Sequence, residues 1–351
     1  NYLEDRKQYV EVNGHKSSLL PLNTGVPQGS ILGPLLFLIY MNDIPNSSNY
    51  FNFLLFADDT SLKSFLDTKL RLPLNQISNT INIELQKVHD WLAVNKLSLN
   101  VKKTKFMLFH TSGKDIQSII PELSIGGGII ERVQNFNFLG LKLNEKMSWK
   151  PHVDMIANKI SKYIGVLNRL KRYLPSFILK TIYNSLIQSN LNYCLTAWGY
   201  NCGRLKFIQK KAIRIVCNSK YLGHSLPLLK KSGLLRLEDM FKLNMLKWYH
   251  RFINKKLPKY FLDFEIKAQK EIHDHDTKSK DTIPPPVPRL HSSRRCIRNY
   301  ISIVINSMPK LVIDKVHTHS LKGFSLYTKN YILSTYDTTC VIENCYSCSR
   351  T

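Results

Sequence analysis

From Val153 onward apolar residues recur at helical spacing, at Ile156, Ala157, Ile160, Ile164, Leu167 and Leu170, while Lys159, Lys162, Arg169, Lys171 and Arg172 fall on other faces. That is the pattern of an amphipathic helix with a basic outer surface. Pro175 then opens a second helix. Ser176 to Tyr193 carries one charge, Lys180, and predicts a helix packed inside its subdomain. Leu205 to Val216, with Lys206, Lys210, Lys211 and Arg214, returns to the basic pattern. Nearer the N-terminus the period changes. Asn52 to Phe56 reads as a strand and Ser61 to Phe65 as its return, so Asp58 and Asp59 fall at the hinge of a hairpin. Between Ile31 and Met41 a nearly unbroken apolar run predicts a buried helix.

Charge changes the picture of the middle third. The 351 residues are 43% hydrophobic, enough for a sizeable core in two or three structural units, and carry a formal net charge of +25, which points to a polyanionic partner. Between Lys150 and Lys259 stand 22 Lys and Arg against only Asp154, Glu238 and Asp239. So one-sided a surplus is a phosphate-binding surface sooner than an ordinary solvated one. Trp198, Tyr200, Trp248 and Tyr249 read as core aromatics.

The remaining composition bounds the setting. Seven cysteines, odd in number and mostly scattered, argue against a disulfide framework and for a reducing, intracellular compartment, nucleus or cytoplasm rather than secretion. No apolar stretch reaches the length of a membrane span, so no membrane partner is expected. Lys267 to Asp281 is rich in charge and runs into Pro284 to Pro288, which marks a linker or exposed loop. His273-Asp274-His275-Asp276 within it reads as a charged run without a role. At the C-terminus Cys340, Cys345 and Cys348 supply three thiol ligands with no nearby downstream fourth; zinc there would have to recruit His317 or His319.

Two segments carry candidate chemistry. Adjacent carboxylates at Asp58 and Asp59, where a strand ends, offer hard oxygen ligands suited to magnesium or manganese. Neighbouring strand residues point to opposite faces, so Asp58 is taken as the principal ligand. The alternative is an Asp-Asp-Thr turn without function. Upstream, Gly25 and Gly29 let backbone approach a nucleotide or template base, Pro27 stiffens the loop, and Gln28 offers donors and acceptors. Turn chemistry alone would also explain that loop.

In order, Gly25-Val26-Pro27-Gln28-Gly29-Ser30, the apolar run and Phe56-Ala57-Asp58-Asp59-Thr60 resemble the reverse transcriptases of retrotransposons that lack long terminal repeats. Trp91 to Phe109 is similar to the family segment that closes a helix and re-enters the palm as a strand, with Lys103 at its lysine position. Phe136 to Leu143 resembles the hairpin that grips the primer end, around Leu139 and Gly140. The resemblance implies an α+β fold: a partial polymerase palm over 1–145, a mainly helical basic thumb over 146–262, a linker over 263–290 and a small extension over 291–351. It implies RNA-directed DNA synthesis with two magnesium ions, template RNA, a DNA primer or RNA–DNA duplex, and deoxynucleoside triphosphates. Asp58 and Asp59 would be catalytic metal ligands. Gly25, Pro27, Gln28, Gly29 and Lys103 would bind nucleotide and template, and Leu139 and Gly140 the primer.

The family's palm has another aspartate, on an earlier strand ending in an apolar-Asp-aromatic pattern. No such strand precedes the Pro-Gln-Gly loop here, and Tyr2 to Gly14 resembles the stretch just after it, where a helix gives way to a hairpin. The fingers are missing too. The chain alone is therefore expected to be inactive. Two other readings are a nucleic-acid-binding relic without catalysis and a group II intron maturase.

Overall fold

The structure is a computed structural model that describes residues 2–23, 25–65, 74–110, 122–221, 223–262, 264, 266, 267, 269, 282–284 and 297–336. It mixes helix and sheet, as expected of the α+β class. By internal packing the chain divides into two units, 1–106 with 113–133, and 107–112 with 134–351.

The first unit begins with two nested pairings, β1 (Lys7–Gln8) with β4 (Leu20–Pro21) and β2 (Glu11–Val12) with β3 (His15–Lys16). Asn13 and Gly14 turn the inner pair with φ of 51° and 82°, as a two-residue hairpin loop demands. Tyr2 to Asp5 are not helical, so only the hairpin part of that expectation is met. Next come α1 (Leu32–Met41), β5 (Asn52–Phe56), β6 (Asp59–Lys63) and α2 (Leu74–Val94). β7 (Lys105–Phe106), β8 (Ser124–Ile125), β9 (Gly128–Ile129) and β10 (Glu131–Arg132) complete the unit. β10 pairs with β7 in parallel, while β8 and β9 form a hairpin. On α2, Ile81, Leu85 and Val88 repeat at helical spacing and build the core with Met41, Ile44, Phe51, Leu123, Ile125 and Ile130.

The run from Ile31 to Met41 is helical but not buried. Only Gly33 and Met41 are enclosed, whereas Ile31 is 95% exposed and Ile39 64%, with Leu32, Leu35, Leu38 and Tyr40 also open to solvent. A helix apolar on every side carries no stripe to say which face is covered. Here α2 and the strands fill the core, and α1 meets it only through Phe37 and Met41.

The second unit opens with the hairpin β11 (Asn135–Phe138) and β12 (Leu141–Asn144), followed by α3 (Lys150–Leu170). Of the apolar positions read on α3, Val153, Ile156, Ala157, Ile160, Ile164 and Leu167 are buried, and Leu170 packs against that core half-buried. α4 (Ser176–Ile182) passes through a π-helical stretch, Tyr183–Gln188, into α5 (Ser189–Asn192), burying Leu179, Tyr183, Ile187 and Leu191. Helices α6 (Leu195–Trp198), α7 (Gly203–Val216), α8 (Ser225–Ser232), α9 (Leu237–Ile253) and α10 (Lys259–Leu262) follow. Trp198 and Tyr249 are buried in that core, and Tyr200 and Trp248 pack against it half-buried.

Three further helices, α11 (Ile297–Asn306), α12 (Lys310–Thr318) and α13 (Leu321–Ser334), add Ile301, Val304, Val316, Phe324 and Ile332 to the same core. Ser320 caps α13, its Oγ accepting from the Gly323 amide at 3.2 Å.

Candidate functional site

Asp58 and Asp59 stand at the end of the β5–β6 hairpin. Phe56 pairs with Asp59, so the loop is only Ala57-Asp58, and the return strand starts at Asp59 rather than at Ser61. Ala57 carries the strain of that tight loop with φ of 51°, a conformation hairpin turns of the primed kind require. Paired residues share a face of the ribbon. Phe53, Leu55 and Leu62 therefore turn toward the core, while Asp59 shares the outer face with Leu54 and Phe56, the latter 61% exposed. Asp58, in the loop itself, is released from the pleat. Both carboxylates are exposed.

Among the described residues no group of three His, Cys, Asp or Glu is placed to hold a metal ion. Two neighbouring carboxylates are too few protein oxygens to bind magnesium without further ligands. This donor set does not fit a two-metal centre by itself.

The Pro-Gln-Gly loop is held from its ends. Gly25 and Gly29 have φ of 76° and 80°, and a Cβ at either would meet nothing within 4 Å, so their need for glycine is conformational. Arg6 donates from Nη2 to the Gly25 carbonyl. Ser30 accepts from the Gly33 amide at 3.1 Å and from the Tyr2 hydroxyl. Gly33 is fixed by space instead, since its Cβ would come within 2.9 Å of Ser30 Oγ and 3.3 Å of Val26 Cγ2. Gln28 and Pro27 are left exposed.

Lys103 lies in a turn organised by Asn100, whose carbonyl and Oδ1 accept from the Lys103 amide at 3.1 and 3.2 Å. Its side chain is exposed, as is that of Lys102, whereas Lys105 is bound to Glu131 across β7 and β10. No hydrogen bond or ion pair among the described residues joins Gln28 or Lys103 to Asp58 or Asp59.

Leu139 and Gly140 belong to the second unit, where they form the two-residue loop of β11–β12 with φ of 45° and 78°. Sequence reasoning missed what holds them. Tyr193, half-exposed between α5 and α6, donates from its hydroxyl to the Leu139 carbonyl at 2.7 Å, and a Cβ on Gly140 would meet Tyr193 Cε1 at 3.3 Å. Trp198 Nε1 donates to the Tyr193 carbonyl at 3.0 Å and locks that segment in turn.

Two rungs from the loop of the hairpin the Lys142 amide donates to His152 Nδ1 at 3.2 Å. That bond assigns the ring proton to Nε2. The imidazole is sandwiched edge-on between Trp149 and Trp198, and burial pushes its pKa below the ordinary value. Beside it Lys142, Asp154, Lys159 and Lys162 line an open cavity of 470 Å³ along α3. Asp154 is engaged by Arg204 at 3.3 Å, so the lysines dominate the local field.

Cys340, Cys345 and Cys348 lie outside the described residues, as do His273 to Asp276 and most of the expected linker. Of the two histidines offered as partners, His319 accepts at its carbonyl from His250 Nε2 at 2.8 Å. No helix among the described residues is long and apolar enough to cross a membrane.

A family model described as "Reverse transcriptase (RNA-dependent DNA polymerase)" matches residues 2–143. The chain is 25% identical over 236 residues to the "RNA-directed DNA polymerase from mobile element jockey" of Drosophila melanogaster, covering 63% of this chain and 25% of that protein. It is 24% identical over 263 residues to the "Probable RNA-directed DNA polymerase from transposon X-element" of the same fly, covering 72% and 28% respectively. A "Retrovirus-related Pol polyprotein from type-1 retrotransposable element R1 2" of Nasonia vitripennis is 26% identical over 183 residues, covering 50% of this chain and 43% of that one. The chain thus spans about a quarter of the length of the jockey and X-element relatives.

Proposed function

We propose that this chain, whose residues 2–143 match the reverse transcriptase family, is the palm-and-thumb portion of an RNA-directed DNA polymerase of a retrotransposon lacking long terminal repeats. The observation that carries the proposal is the two-residue hairpin loop, which presents Asp58 at its tip and Asp59 on its first rung within the matched segment. The family's chemistry uses a divalent ion such as magnesium. Because the described donor set stops at two carboxylates, nucleotidyl transfer is assigned to this chain only when further ligands are supplied.

The chain's own residues have positioning tasks in this reading. The exposed Gln28, on a loop whose glycines keep the backbone bare, contacts template and incoming nucleotide. Lys103 faces the triphosphate. The Leu139-Gly140 turn, pinned by Tyr193, steadies the primer end. Lys142, Lys159 and Lys162 contact phosphates of the RNA–DNA duplex, which gives affinity without sequence choice. Residues 146–262 act as the thumb.

Primer extension on an RNA template with magnesium tests the proposal. It compares this chain with a form joined to the N-terminal region of the jockey-element relative. Extension by the joined form alone, lost on Asp58→Ala, is the expected outcome. Salt-sensitive binding with no extension by either form would favour the non-catalytic binding protein.

A further inference from the structure

The β11–β12 hairpin is attached by one strand and by two side-chain hydrogen bonds. Leu141 and Leu143 of β12 pack against the helical core, whereas Asn135, Phe136 and Asn137 of β11 are exposed. Lys142, between the two leucines, directs its amide out of the ribbon, as alternate residues of an antiparallel pair do, and His152 Nδ1 on α3 accepts it at 3.2 Å. At the loop, the Leu139 carbonyl accepts from the Tyr193 hydroxyl at 2.7 Å.

Trp198 on α6 joins these two attachments. Its ring lies edge-on to the imidazole with centroids 5.3 Å apart, and its Nε1 donates to the Tyr193 carbonyl at 3.0 Å. Hairpin, His152, Trp198 and Tyr193 thus form a closed circuit within the second unit, so a shift of the imidazole is passed to the residue that pins the loop. The histidine is 1% exposed, and its Nε2 has no hydrogen-bond partner among the described residues. An apolar side chain would fill the space between Trp149 and Trp198 without burying a lone N–H, which costs free energy. What histidine supplies there, and leucine cannot, is the acceptor for Lys142.

We infer that His152 is a positioning residue for nucleotidyl transfer, setting the Leu139-Gly140 turn against α3 through the Lys142 amide and, by way of Trp198, through Tyr193. The inference rests on the primer-end reading of that turn and assigns its placement to the helical unit. Phosphate contacts elsewhere supply affinity for template-primer, so displacement of the turn acts on rate and not on binding.

Two measurements test the inference. Hydrogen–deuterium exchange on the full chain reads the Lys142 amide in the unaltered protein, H152N and H152L. Asparagine places its oxygen near the position of Nδ1 and leucine offers no acceptor, so exchange at Lys142 should quicken in H152L and stay near the unaltered rate in H152N. Single-nucleotide incorporation is then followed in the form joined to the jockey-element N-terminal region, and referred to protein that binds template-primer. At saturating nucleotide its rate should fall about 10-fold in H152L, within the about 100-fold that a misplacement of about 1 Å can cost. Nucleotide KM and template-primer Kd should stay within about twofold, and H152N should recover most of the rate. Should H152L melt early, H152Q takes its place, since the glutamine oxygen reaches toward the position of Nε2 and leaves Lys142 without its acceptor. Unchanged exchange at Lys142, incorporation by H152L at the unaltered rate, or H152N as slow as H152L would each overturn the inference and leave the polymerase reading standing. No incorporation by the unaltered joined form would overturn both.

Discussion

The hydroxyl of Tyr193 donates a 2.7 Å hydrogen bond to the carbonyl of Leu139, 54 residues earlier in the chain. It ties the end of the α4–α5 helical run to the tip of the β11–β12 loop. Tyr193→Phe keeps the ring and removes the donor, so it should lower stability slightly in chemical denaturation. Gly140→Ala should cost more, about 1–2 kcal/mol for the left-handed backbone, with the 3.3 Å approach to Tyr193 added.

His152 makes the second unit acid-sensitive. Its folded pKa lies below the ordinary value of 6.5, so below that pH the unfolded chain binds more protons than the folded one. The stabilisation is fully present above pH 6.5 and is lost as pH falls through the lowered folded value. Melting temperature followed from pH 7.5 downward should fall more steeply in the unaltered chain than in His152→Gln. Parallel curves would show that protonation of His152 is not coupled to unfolding.

Asp239, buried on α9, gathers the hydroxyl of Tyr336 at 2.7 Å, Arg236 Nε at 2.6 Å and Lys242 at 3.7 Å. Tyr336→Phe removes a hydrogen bond to a charged group and should cost about 1.5–3 kcal/mol. Asp239→Ala leaves the half-exposed Arg236 to solvent but deprives the buried Tyr336 hydroxyl of its acceptor, and should cost about 1–3 kcal/mol. A double-mutant cycle between the two positions should return a clear coupling energy, because both act on one carboxylate. Additive losses would count against the shared network.

The open face of α1 makes a contrary prediction. Leu38→Ser and Ile39→Ser, at positions 59% and 64% exposed, should leave stability within about 0.5 kcal/mol while lowering binding of a hydrophobic dye. A loss of several kcal/mol in denaturation would mean these side chains are core after all.

Local pattern carried the reading of elements a long way. The strand Asn52–Phe56 and the buried face of α3 follow from spacing alone, because period 2 and period 3.6 are properties of short windows. The hinge near Asp58 and Asp59 was legible for the same reason, although the return strand begins two residues earlier than spacing suggests, whereas the hairpin around Leu139 and Gly140 came from the family resemblance. What escaped were contacts between distant segments: Tyr193 beneath Leu139, His152 under Lys142, and Tyr336 on Asp239 across 97 residues. No periodicity marks such partners. The exposure of α1 escaped for a different cause, since hydrophobicity without amphipathicity says that a face is apolar and not whether a neighbour covers it.

The rate of single-nucleotide incorporation on an RNA template bears most directly on the claim that the β5–β6 loop belongs to a nucleotidyl-transfer centre. It is measured in the form joined to the jockey-element N-terminal region, with and without Asp58→Ala. Removing a group that merely orients a metal ligand costs about 10–100-fold, so loss of a ligand should exceed about 100-fold while template-primer binding persists. Incorporation by Asp58→Ala at the unaltered rate would contradict the assignment.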